Sequence, residues 1–67
     1  MQIPEELLKR WAELRSFGDG RKISESAPGI TENDVSRAFN KGECADDVFE
    51  AIAKYFKQKE EKIKEFL

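Results

Sequence analysis

Asn33, Ser36, Arg37 and Asn40 are spaced so that a helix would carry all four side chains on one stripe. The stripe offers two amides, a hydroxyl and a guanidinium, with no carboxylate on its crest. In a DNA major groove asparagine can bond adenine bidentately, arginine can treat guanine the same way, and serine can serve either. Val35, Ala38 and Phe39 fall on the opposite side, so the segment can bury one face while presenting the other.

Other chemistry is poorly supplied. With no histidine and a single cysteine, Cys44, neither a Cys/His zinc site nor a Ser-His or Cys-His nucleophile can be assembled. Ser24, Ser26 and Ser36 have nothing to activate them. Asp46-Asp47 and Glu60-Glu61 are sequence neighbours that point apart on a helix and make poor acid/base pairs. The chain is expected to be no enzyme, to hold no metal or cofactor, and to take no small-molecule substrate.

The recognition stripe needs a scaffold, and 67 residues suffice for one small domain spanning 1–67. A chain this short buries only about 60% of its unfolded surface, which makes a second copy a welcome source of stability. Hydrophobic and charged residues at 39% each, interspersed along the chain, indicate an ordered helical domain and exclude disorder. The longest apolar run is Ala51-Ile52-Ala53, far short of the roughly 20 residues of a membrane span. Met1-Gln2-Ile3-Pro4-Glu5-Glu6 is no cationic-then-apolar leader, so a cytoplasmic location is expected.

Pro4, Glu5 and Glu6 suit the first turn of a helix whose apolar stripe is Ile3, Leu7, Trp11 and Leu14, ending near Phe17. Gly18-Asp19-Gly20 reads as a break, followed by a short helix over Arg21–Ala27. Pro28 and Gly29 stop it. Thr31 and Asp34 resemble a capping box, predicting a third helix over Thr31–Asn40 that Gly42 closes in a left-handed cap. From Glu43 onward there is neither Gly nor Pro, and a final helix over about 45–66 is expected. Its stripe, Phe49, Ile52, Phe56, Ile63 and Phe66, is interrupted at Lys59. Trp11, Phe17, Phe39, Phe49 and Phe56 are assigned to the core. Ile63, Phe66 and Leu67 have no cover within the domain and are the candidate dimerisation residues.

Residues 20–42 thus hold two short helices joined by a glycine-containing turn. Ile23, Ala27, Gly29-Ile30-Thr31, Val35-Ser36-Arg37 and Asn40-Lys41-Gly42 resemble the helix-turn-helix of lambda-repressor-like and Cro-type regulators, over about a third of the chain. Gly20 and Ser24 stand where that family often has glutamine and alanine. Ile23 and Ile30 are seven apart instead of the usual six, so the turn is one residue longer at Pro28, while Ile30 to Val35 keeps the usual five. The resemblance implies an all-α domain of four or five helices, a transcriptional regulator of the phage or bacterial repressor type that binds double-stranded DNA as a homodimer and blocks or recruits polymerase at an operator.

The net charge of −2 weighs against DNA until its distribution is considered. Met1 to Gly42 carries seven cations and seven anions, whereas Glu43 to Leu67 carries five and seven, so the acidity is C-terminal. Asn33, Ser36, Arg37 and Asn40 are the expected base readers; Arg15, Arg21, Lys22, Thr31 and Lys41 are the expected phosphate contacts. The alternative is a protein-interaction module that keeps the helix-turn-helix scaffold without binding DNA.

Overall fold

A computed structural model describes residues 1–65, which form four helices: α1 Glu5–Leu14, α2 Asp19–Ser26, α3 Glu32–Lys41 and α4 Asp46–Glu65. This is a small all-α fold with a long C-terminal helix. α2 packs on α3, and α4 runs against α1, α2 and α3.

Local signals set most of the boundaries. Pro4 precedes α1, whose first turn carries Glu5 and Glu6. At α3 the Thr31 hydroxyl accepts from the Asp34 amide at 3.2 Å, while the Asp34 carboxylate accepts from the Thr31 amide at 3.0 Å, a complete capping box. Gly42 ends the helix at φ 71°, donating its N–H to the Ala38 carbonyl. Between α2 and α3, the Ile30 amide bonds the Ala27 carbonyl at 3.2 Å, with Pro28 and then Gly29 at φ 84° between them. A proline followed by a left-handed glycine suits the two central positions of a type II turn.

Two boundaries differ from expectation. α1 stops at Leu14, because Arg15 is extended and the Ser16 amide donates to the Asp19 carboxylate. α2 then begins at Asp19, inside the supposed break, with only Gly18 left-handed at φ 88°. Gly20 is helical, and a Cβ there would lie 3.9 Å from Val35 of α3. The early end of α1 overturns the core assignment of Phe17, whose side chain is fully exposed at 106%. Beyond Leu14 it no longer follows the apolar stripe of that helix.

The core comprises Ile3, Trp11, Ile23, Ile30, Val35, Ala38, Val48, Ile52 and Phe56. Trp11 lies at its centre, stacked on Phe56 with centroids 5.9 Å apart and meeting Phe39 edge-on at 6.3 Å. Val48, which the expected stripe omitted, is buried, whereas Phe49 is half-buried. The N-terminus adds an unexpected strap. Ile3 donates to the Gly42 carbonyl and Cys44 to that of Met1, and Gln2 pairs antiparallel with Glu43. The strap seats Ile3 in the core.

Candidate nucleic-acid interface

α3 turns Val35 and Ala38 inward, each 1% exposed, and this fixes what its other side shows. Asn33, Ser36, Arg37 and Asn40 are all exposed. Among the described residues no side-chain hydrogen bond or ion pair engages any of the four, so their donors and acceptors are available to a partner.

The N-terminal half of this stripe forms one wall of a groove of about 800 Å³. Asn33 and Ser36 line it together with Glu32; Arg15, Phe17 and Arg21 line the facing side, from the α1–α2 connection and the start of α2. The Arg15 guanidinium sits 4.6 Å above the Phe39 ring centroid, a cation–π contact that holds a positive charge beside α3. Arg21 shares its charge with Glu25, its Nε lying 3.1 Å from the carboxylate, but both side chains are well exposed and such pairs are weak.

The other expected contacts are distributed around the domain. Arg37 and Lys41 border a second concavity with Met1 and Glu43, beyond the opposite edge of α3. Lys22 borders a third, beside Lys59 and Lys62 of α4, and does not line the groove that holds Asn33 and Ser36. Thr31 is exposed; its hydroxyl oxygen is used by the cap and its proton remains available. On α4, Ile63 is 42% exposed, while Phe66 and Leu67 lie outside the described residues.

One cluster has no counterpart in the sequence reading. Asp19 is 2% exposed, and its carboxylate accepts hydrogen bonds from Tyr55 Oη at 2.7 Å, the Ser16 amide at 2.8 Å and Lys59 Nζ at 2.5 Å. Lys59 also donates to Ser16 Oγ at 2.9 Å. Burial alone would raise the Asp19 pKa, but donation from Lys59, Ser16 and Tyr55 outweighs it and holds the carboxyl below its ordinary value. Burial first, and then the neighbouring Asp19 carboxylate, push the Tyr55 phenol up to about 12. The cluster therefore stays charged at Asp19 and neutral at Tyr55 near neutral pH. It clamps the α1–α2 connection, which carries Arg15 and Phe17, onto α4. The sequence held one sign of it: Lys59 interrupts the apolar stripe of α4.

Elsewhere, burial raises the pKa of the half-buried Cys44 thiol, leaving it a poor thiolate. No group of three or more His, Cys, Asp or Glu side chains is placed to hold a metal among the described residues, and none of the described helices is long and apolar enough to cross a membrane. Compared with protein-family models, curated proteins and solved structures, the chain matches none of them.

Proposed function

We propose that this protein is a sequence-specific DNA-binding regulator that lays α3 in the major groove. The observation that carries the reading is the exposed and unengaged stripe Asn33, Ser36, Arg37 and Asn40 on a helix whose opposite face is locked into the core. A capped, rigid helix presenting such donors reads base edges at little entropic cost. Arg15 and Arg21, beside the N-terminal half of the stripe, supply sequence-independent phosphate contacts; Arg37 and Lys41 supply charge at the other end.

On this reading the domain acts by occupancy of an operator, as a repressor or a recruiter, in the cytoplasm where bacterial or phage DNA lies. A single reading helix makes few base contacts, so the protein works as a homodimer through α4, with the exposed Ile63 at the seam. The two reading helices then lie about 34–36 Å apart on a pseudo-palindromic site.

Selection of bound duplexes from a random pool tests this. The reading predicts an enriched inverted repeat whose half-sites are one helical turn apart. Failure to enrich any sequence would leave the second reading, a protein-interaction module. That reading is favoured by the net charge of −2, by Glu32 within the groove and by the pairing of Arg21 with Glu25.

A further inference from the structure

We infer that Phe17 is an apolar contact to the deoxyribose wall of duplex DNA, an inference that rests on the DNA-binding reading and adds a residue to it. Phe17 is 106% exposed, and the other large hydrophobics exposed among the described residues, Met1 and Ile63, do not line its groove. A lone aromatic has no contiguous apolar patch around it, as a protein–protein interface core requires. Its neighbours are Arg15, Ser16 and Arg21 on its own wall, with Asn33, Ser36 and the carboxylate of Glu32 opposite. On the wall that carries Phe17, two cations, a hydroxyl and one apolar ring complement a surface that alternates phosphates with sugars.

The backbone on either side of Phe17 is held in place. The Ser16 amide is bound by Asp19, Ser16 Oγ by Lys59, and the Asp19 amide returns to the Ser16 carbonyl at 3.2 Å. Gly18 then turns the chain back at φ 88°, a conformation favouring glycine. The Phe17 backbone is thus fixed at the tip of a clamped connection, so binding has only the ring left to order. Its position selects sugar over base. In helix-turn-helix docking the first helix of the motif crosses the DNA backbone while the second reads bases, and Phe17 lies just before the first, α2. Beside a phosphate held by Arg15 or Arg21, the adjacent apolar group is deoxyribose.

Anisotropy titrations of the unaltered chain, Phe17→Ala and Phe17→Leu test the contact, using an enriched duplex, an unselected duplex and an enriched duplex with uracil replacing thymine, across a salt series. Because a sugar contact neutralises no phosphate, Phe17→Ala should weaken binding about tenfold on all three duplexes with an unchanged salt slope. Phe17→Leu should recover part of the loss, and neither variant should change the melting temperature. An unchanged affinity for Phe17→Ala, with the parent still binding DNA, overturns the contact and leaves the DNA reading intact. A loss that vanishes on the uracil duplex moves the contact to a thymine methyl, and a loss of self-association without DNA moves it to a second copy; either overturns the proposal. If the parent binds no duplex, the DNA reading and this contact fall together.

Discussion

Replacing Asp19 with alanine removes one acceptor from three donors at once. The Ser16 amide and Tyr55 Oη lose their partner, Lys59 Nζ keeps only Ser16 Oγ, and the connection carrying Arg15 and Phe17 loses most of its clamp. Breaking a buried ion pair by deleting one member costs about 3–5 kcal/mol. Lys59 retains 21% of its side-chain exposure and can swing toward water, so the lower end, about 3 kcal/mol, is the appropriate figure. At roughly 0.05–0.15 kcal/mol per residue, a chain of 67 residues has only about 3–10 kcal/mol in total. The melting temperature followed by far-ultraviolet circular dichroism should then fall by roughly 12–24 °C. The pH dependence has a definite sign. The folded pKa of Asp19 lies below its ordinary value near 3.9, so its contribution is present above that value and is lost as pH falls through the folded pKa. Asp19→Asn should therefore flatten the acid limb of the stability profile. A melting temperature for Asp19→Ala within about 3 °C of the parent at neutral pH would refute this reasoning, since 1 kcal/mol alone moves such a domain by about 4–8 °C.

Thr31→Ala removes half of the capping box and should cost about 1 kcal/mol, lowering the melting temperature by about 4–8 °C; an unchanged melt would show that the cap contributes nothing. Arg37→Ala should relax specificity at one base pair by about 1–3 kcal/mol, whereas Arg15→Ala should weaken all sequences alike and reduce the salt slope by about one. Lys22→Ala should change that slope less than Arg15→Ala, because Lys22 borders α4 instead of the groove; equal effects in anisotropy titrations would contradict this placement. The proposed dimer through α4 requires that Ile63→Lys lower the sedimentation coefficient from that of a dimer to that of a monomer; an unchanged oligomeric state would remove α4 as the seam.

What was legible in the sequence was mostly what short-range chemistry decides. The Thr31–Asp34 box, the Gly42 cap and the Pro28-Gly29 turn are each set by residues within four positions, and the outward face of α3 follows from Val35 and Ala38 alone. The end of α1 was not legible, although the Ser16–Asp19 bond that stops it is local. Asp19 is held inward by Tyr55 and Lys59, 36 and 40 residues away, and such pairing leaves no periodic trace. The consequence fell on Phe17, which looked like core and is surface. The N-terminal strap was invisible for a related reason, since its single bridge between Gln2 and Glu43 offers no alternation to detect. Within the candidate site, the residue types on α3 could be read directly. The grouping of Arg15 and Arg21 with Asn33 and Ser36, and the separation of Lys22 from them, depend on how α1, α2 and α3 pack.

Backbone amide chemical shifts recorded during titration with an enriched duplex address the central claim most directly. Shifts concentrated at Asn33, Ser36, Arg37 and Asn40, with a second set at Arg15 and Arg21, are the predicted result. Shifts confined to α4, or an unperturbed α3 in the presence of saturating DNA, would contradict the account.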